Sequence, residues 1–374
     1  MKITGIICEY NPLHLGHKKQ IDHIRNQDPN GAIVCLMSGN FVQRGAPAII
    51  DKAYRGKAAI FSGADLVLEL PVTASLSSAE GFAKAGVDIL GKFCDQLCFG
   101  AETSNVKCLM NIANALDTED FKSHLRKYLD DGLSFPTARQ KALEAMELDG
   151  SIISSPNNIL AVEYCKAILS TETNMQPMVI HRQGSYHDDT PDKENPSATA
   201  IRHLMLQGLD FAEYVPFPGC FENAHLHTIA AGEQAMVYRL KTMTDAEFEA
   251  LPYGSEGLWR KLMKNARSYN TLEDIITATK SKRYTRTRLD RMVMCAFLGI
   301  TEEMLCTPAA YINVLAFNDK GRQVLKTARQ TGKFVNIGEN VKDPYTDLVK
   351  RWDDLYEMFS TKPEKQNRKV YAHK

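Results

Sequence analysis

The residues best equipped for chemistry lie in two short motifs, His14-x-Gly16-His17 near the start of the chain and Ser197-x-Thr199-x-x-Arg202 near its middle. Two imidazoles flanking a glycine can donate hydrogen bonds to phosphate oxygens, and the glycine lets a ligand approach the backbone. Each motif opens a predicted helix, whose N-terminus presents free N–H groups to an anion. A site that transfers a nucleotidyl group needs donors on the α-phosphate, where charge builds up, and cations on the departing pyrophosphate. His14 and His17 suit the first task, and Lys18 and Arg202 the second. Either motif alone describes two surface histidines or an ordinary helix cap. Found together, in this order and after a first strand, they point to a nucleotide site.

The elements that must position these residues follow from the pattern around them. The apolar run Ile3–Cys8 predicts a buried strand, Asn11-Pro12 a turn, and Leu15 onward a helix. Segments 32–37, 65–70, 96–99 and 178–181 read as further strands. Segments 16–25, 52–62 and 77–90 read as helices, with Asp51 placed to cap the second. Strands separated by helices predict a parallel sheet with right-handed crossovers, whose ligands sit beyond the carboxyl ends of the strands. A charged helical stretch, 118–148, reads as an insertion or a lid over the sheet edge, and 181–195 as a polar loop. From Val215 the texture changes. Pro216 and Pro218 break the pattern, and the chain is then mainly helical to Leu298, with a short apolar run at 310–317, a helix at 348–359 and a polar tail. This predicts an α/β unit over 1–215 and a mainly helical unit over 216–374.

Composition narrows the class. Hydrophobic residues make up 44% and charged residues 24% of the 374, which is ordinary for a globular protein with a sizeable core. No apolar run is long enough for a membrane span, and the opening residues hold Glu9 and Asn11 rather than a signal peptide, which points to the cytoplasm. The nine cysteines are scattered and odd in number, as buried reduced thiols rather than a disulfide framework; Cys94 and Cys98 lack the second pair that a zinc site needs. Basic and acidic residues balance at 45 each, but between Glu256 and Arg291 there are ten Lys/Arg against four Asp/Glu. A neutral chain with such a stretch meets a polyanion there. Lys282, Arg283, Tyr284, Arg286 and Arg288 are its best RNA-binding candidates, the arginines for phosphates and Tyr284 for stacking on a base. The tail past Lys362 adds more positive charge.

The two motifs resemble those of the nucleotidyltransferase superfamily, although Pro196 and Ala198 stand where an isoleucine and a second hydroxyl are usual. A closer resemblance covers nearly the whole chain. Gly5-Ile6-Ile7-Cys8-Glu9-Tyr10-Asn11-Pro12-Leu13-His14-Leu15-Gly16-His17, Met37-Ser38-Gly39-Asn40-Phe41-Val42-Gln43-Arg44-Gly45, Asp65-Leu66-Val67-Leu68-Glu69-Leu70-Pro71, Phe99-Gly100-Ala101-Glu102, Pro156-Asn157-Asn158, Lys282-Arg283-Tyr284-Thr285-Arg286-Thr287-Arg288 and Val314-Leu315-Ala316-Phe317-Asn318-Asp319-Lys320-Gly321-Arg322 resemble the bacterial tRNA(Met) cytidine acetate ligase family. The resemblance implies a Rossmann-like nucleotidyltransferase domain followed by a mainly helical tRNA-binding domain. It implies an ATP-dependent ligase that forms acetyl-adenylate, releases pyrophosphate, and passes the acetyl group to the wobble cytidine of elongator tRNA(Met), giving N4-acetylcytidine and AMP. It places ATP on Ile7, Cys8, Glu9, Tyr10, Asn11, Pro12, Leu13, His14, Leu15, Gly16, His17, Lys18, Lys19 and Gln20, on Gly100, on one of Asn157 and Asn158, and on Arg182. Ser197 and Thr199 of the second motif join them. Magnesium is expected with ATP, although no dedicated ligand set is visible, and no obligate protein partner is evident. A mixed anhydride must be shielded from water. The polar loop with Asn40, Gln43 and Arg44 is a candidate for that acetate pocket, or a brace for the loop itself.

Overall fold

The computed structural model describes residues 1–182, 192, 196–281, 283–339, 341–362 and 369–373. At its centre is an eight-stranded sheet of β1 (Ile3–Cys8), β2 (Ala32–Ser38), β3 (Leu66–Leu70), β4 (Gln96–Ala101), β5 (Gln176–His181), β6 (Ile312–Phe317), β7 (Phe334–Asn336) and β8 (Tyr371–Ala372). The strands lie in the order β8-β6-β3-β2-β1-β4-β5, with β7 also on β6. Pairing from β3 through β5 is parallel throughout. Every residue of β2 and β3 is buried, as expected of strands covered on both faces, and all but Ser38 and the ion-paired Glu69 are apolar.

The chain winds from β1 through β2 to β3 on one side, then returns to place β4 and β5 on the other. The winding reverses at β1, and in such sheets the ligand crevice lies beyond the carboxyl end of the strand at that point. That end feeds directly into the loop bearing His14 and then α1 (Leu15–Gln27). On the β3 side lies α2 (Lys52–Phe61), capped as expected by Asp51, whose carboxylate accepts the Ala53 N–H at 2.8 Å. Across β4 packs α3 (Pro156–Ser170). The 118–148 stretch forms helices Glu119–Asp130 and Phe135–Ala145; Phe121, Ala142 and Leu143 are buried in the sheet's core, and Arg139 pairs with Glu163 of α3 at 2.9 Å. It is a fixed outer layer rather than a lid.

The sheet departs from expectation on its far edge. β6 runs antiparallel to β3, pairing Leu66 with Phe317, and β7 and β8 then pair with β6. The sheet is therefore mixed, though mostly parallel, and the chain after residue 310 returns to the first layer. An expected boundary at 215/216 is crossed by these strands. The apolar run at 310–317 marks a strand, but nothing local in it says that it will cover the open edge of β3.

Between these excursions the chain builds the expected helical layer, including helices Ile229–Thr242 and Leu258–Ser268. Its own core contains Met236, Leu240, Leu262, Ile275 and Met292. Phe41, Val72 and Leu76 of the first half also enter that core, so the helical layer sits on the loops at the end of the sheet. Helix α4 (Ala198–Gln207) precedes this layer and α5 (Arg286–Leu298) is its most deeply buried member. Helix α6 (Pro344–Tyr356) ties the layers together. Its Trp352 indole N–H donates to the Leu298 carbonyl at 3.2 Å, and its Tyr356 hydroxyl to the Ala48 carbonyl at 2.8 Å. No described helix is long and apolar enough to cross a membrane.

Candidate active site

The two histidines hold each other in place. His14 caps α1: its Nδ1 accepts the Gly16 N–H at 3.1 Å, and the His14 N–H is accepted in turn by Nδ1 of His17 at 3.3 Å. This is a capping box made of imidazoles. The rings stack with centroids 3.7 Å apart, and Tyr10 lies against His17 at 4.9 Å. Because both Nδ1 atoms accept, the proton of each neutral ring sits on Nε2. Burial holds His14 down to about 3, helped by the charges of Arg182 and Arg202. His17 is lowered well below its ordinary value by burial, by His14 and by Arg182. At neutral pH the site presents two Nε2–H donors with no charge to discharge, which suits a phosphate oxygen gaining charge.

The rest of the 7–20 segment divides between support and access. Ile7, Tyr10 and Leu13 are core side chains, and the Tyr10 hydroxyl lies 3.5 Å from the Cys35 sulfur. Cys8 points its thiol at the Leu36 carbonyl. Asn11 accepts the Ile49 N–H at 2.7 Å through its side chain and is joined to Pro12 by a cis bond. Leu15 and Gly16 form the first turn of α1, and Gln20 donates to the Cys98 carbonyl at 3.2 Å. Lys19 is exposed. Lys18 differs from expectation: it is ion-paired with Asp22, one turn along α1, so its charge is partly spent within the helix.

The second motif meets the first. Ser197 caps α4, accepting the Ala200 N–H at 3.0 Å. Arg202 donates to the Thr199 hydroxyl at 3.0 Å and to the Asn11 carbonyl at 2.8 Å. A residue 191 positions away thus fastens the loop that carries His14, and its guanidinium is close enough to depress the His14 pKa.

On the other side of the crevice, Gly100 on β4 is crossed by Arg182: a Cβ at Gly100 would lie 2.9 Å from the arginine's Cγ and Cδ, so a side chain there would push the arginine from its place. Arg182 donates to the Asn157 side-chain oxygen at 3.3 Å. The structure separates the two asparagines. Asn158 is buried and accepts the Thr103 N–H at 3.1 Å, whereas Asn157 is half-exposed beside Arg182. The sequence reading missed Glu102, which accepts from the Ser155 hydroxyl, the Asn157 amide and the Asn158 N–H at 2.9, 2.7 and 2.9 Å. Burial raises its pKa, but these bonds outweigh it and the carboxyl lies below its ordinary value. The signal was present: an acidic residue just past a strand, in a run already singled out.

Arg55 was missed as well. Fully buried on α2, it donates to the carbonyls of Glu9, Ser38 and Ile50 at 2.6, 3.0 and 2.8 Å and also to that of Gly39. It binds the ends of β1 and β2 to the polar loop. Within that loop the Gln43 N–H donates to Glu9 at 2.7 Å, and Arg44 is exposed. Asn40 is 1% exposed, with its side chain bonded to the Lys52 N–H and to Asp353, both at 2.9 Å. It braces the loop.

The basic stretch is less free than its composition implies. Arg283 pairs with Glu256 at 2.8 Å, and Arg286 with Glu273 at 2.7 Å and Asp290 at 2.8 Å. Arg288 donates to the Tyr253 carbonyl and to Ser255, holding the preceding turn. Tyr284 is a correction: it is buried in the core of the helical layer beneath the Arg288 guanidinium, with its hydroxyl on Glu256, and offers no face to a base. The run carries apolar neighbours at positions the charge count ignores. Lys282 lies outside the described residues, as does most of the expected 181–195 loop.

A family model described as "HIGH Nucleotidyl Transferase" matches residues 1–370. The chain is 39% identical over 352 residues to the tRNA(Met) cytidine acetate ligase of Clostridium novyi, covering 88% of each. It is 37% identical to that of Clostridium acetobutylicum, again covering 88% of each. Among solved structures, apo Thermotoga maritima TmcAL superposes with a TM-score of 0.89 at 26% identity over 100% of both chains. The same protein bound with alpha-thio ATP superposes with a TM-score of 0.86 at 25% identity, also over 100% of both.

Proposed function

The chain belongs to the HIGH nucleotidyl transferases and, within them, to the tRNA(Met) cytidine acetate ligase family, and we propose on that basis that it joins acetate to the wobble cytidine of elongator tRNA(Met) at the expense of ATP. The observation that carries the reading is the Arg202 bond to the Asn11 carbonyl, which brings both phosphate-handling motifs to one crevice. ATP lies there with its α-phosphate against the Nε2–H groups of His14 and His17, and its pyrophosphate towards Arg202 and Lys18. Gly100, Asn157 and Arg182 hold the nucleoside side, with Asn157 rather than Asn158 making the contact. Acetate oxygen attacks the α-phosphate in line, so catalysis is positioning and charge stabilisation. Magnesium arrives with ATP, held mainly by phosphate oxygens and water. The reaction belongs to the cytoplasm, where ATP and tRNA meet.

Labelled acetate incubated with the protein, ATP and elongator tRNA(Met) will leave label on the RNA. No labelled RNA overturns the reading; AMP joined to a small acid or phosphate ester instead would make the protein a metabolic nucleotidyltransferase.

The residues 216–306 bring the RNA, with Arg283 and Arg286 pairing with its phosphates. Exposed ion pairs such as theirs contribute at most about 1 kcal/mol, so a phosphate can displace the carboxylates. Arg283→Gln with Arg286→Gln will weaken tRNA binding and lower the salt slope by about 0.7 to 0.9 for each phosphate no longer neutralised. A titration at several salt concentrations checks this, and an unchanged slope shows that the RNA does not touch these arginines. Arg288 is a poor choice for the test, because its loss releases the turn at Tyr253.

A further inference from the structure

Acetyl transfer leaves a proton to be placed. The exocyclic amine of cytidine attacks the acetyl carbonyl, the N4–C bond forms, the C–O bond to the AMP phosphate breaks, and its electron pair leaves with AMP. One N4 proton must then go to a base. The two histidines already serve the phosphate as donors, and Arg202 carries no lone pair for the task.

We propose that Glu9 is that base, taking the N4 proton as the acetyl group passes to the cytidine; this rests on the acetyl-transfer reading above. Glu9 follows the last residue of β1, at the crevice where the winding of the sheet reverses. Its Oε1 accepts the Gln43 N–H at 2.7 Å, and among the described residues Oε2 makes no hydrogen bond. The Arg55 guanidinium fixes the Glu9 carbonyl at 2.6 Å, so the side chain projects from an anchored backbone. Arg202 acts electrostatically on both Glu9 and His14, which places the carboxylate and the imidazole pair around one guanidinium.

The acceptor's route favours the same residue. Gln43 belongs to the hairpin of Phe41–Val42 and Ala46–Pro47, whose turn reaches the helical layer. Gly45, at φ +76°, sits so close to α5 that a Cβ there would collide with the Arg291 backbone nitrogen. Glu9 therefore lies on one side of a hairpin whose tip touches the helix bearing Arg286. A base held between the ATP crevice and the RNA-facing layer meets the amine as it arrives. Burial raises the Glu9 pKa, against the pull of the Gln43 N–H and of Arg44, Arg55 and Arg202, and a carboxylate with a raised pKa is the stronger base.

The test isolates transfer from adenylylation. Enzyme preloaded with synthetic acetyl-adenylate is mixed with elongator tRNA(Met), and single-turnover acetylation is followed between about pH 5 and 8. Wild-type protein will show a rate that rises with pH and levels off once the carboxyl is ionised. Glu9→Gln keeps an oxygen for the Gln43 N–H and so preserves the hairpin brace. It will transfer at least about 10²-fold more slowly and lose the rise, while Glu9→Asp keeps the rise. A Glu9→Gln rate within about threefold of wild type, or a Glu9→Gln profile that keeps a wild-type rise, overturns the proposal alone. No transfer by wild-type protein at any pH overturns the ligase reading, and the role of Glu9 with it.

Discussion

Replacing His17 by asparagine will lower acetate-dependent exchange of pyrophosphate into ATP by about 10²–10³-fold. The asparagine oxygen takes the place of Nδ1 as acceptor of the His14 N–H, now bonded at 3.3 Å, so the cap of α1 survives. What is lost is the Nε2–H that the proposed mechanism assigns to the α-phosphate. A preorganised donor to a developing oxyanion contributes roughly 3–4 kcal/mol, and the fold-change follows from that. Binding of tRNA, measured in the absence of ATP, will stay at the wild-type level because His17 lies in the crevice and not on the helical layer. An equal fall in tRNA affinity would mean that the layers do not divide the work. Exchange within about threefold of wild type would remove His17 from the phosphate.

The geometry of the loop bearing His14 and His17 is legible in the sequence because its signals are local. A strand, a turn, a capping histidine and a glycine occupy consecutive positions, and their geometry follows from hydrogen bonds spanning two or three residues. The pairing of Arg202 with Asn11 is not local, but two phosphate-type motifs on helix starts have few ways to be useful apart. Glu102 and Arg55 escaped for a different reason. Arg55 works through carbonyls of separate segments, and a lone arginine on a helix has no spacing to betray it. Glu102 stood in a run already singled out, but its partners at Ser155, Asn157 and Asn158 lie more than fifty residues away. The basic stretch misled in the opposite direction. Counting charges found ten cations against four acids, but not that Glu256 and Glu273 fold onto Arg283 and Arg286, nor the burial of Tyr284. Likewise 310–317 announced a strand, and only the open edge of β3 determined where it went.

Replacing Lys52 by methionine will destabilise the protein by about 3–5 kcal/mol in urea unfolding. Its ammonium is 1% exposed and lies 2.8 Å from Glu69 and 2.9 Å from Asp353, joining α2, β3 and α6. Asn313 of β6 donates to the same Glu69 at 2.7 Å. Without the lysine, two carboxylates face each other with little water, in surroundings that already raise the Glu69 pKa chiefly by burial. A carboxyl whose folded pKa exceeds its unfolded value binds more protons when folded, so the variant regains stability as pH falls from 7 towards 5. Most carboxylates in ion pairs behave the other way, and the reversed slope identifies the cause. Replacing Glu69 and Asp353 by leucine as well should restore much of the loss, because an apolar triad needs no counter-charge. The repair will not extend to Asn40, whose amide donates to Asp353 at 2.9 Å and fixes the start of the loop that reaches Gln43 and Glu9. The triple variant should therefore unfold at urea concentrations between those of the single variant and wild type, because the Asn40 and Asn313 amides lose their acceptors, and should transfer acetyl groups poorly. A triple variant with full activity would show that the ion triad serves stability alone.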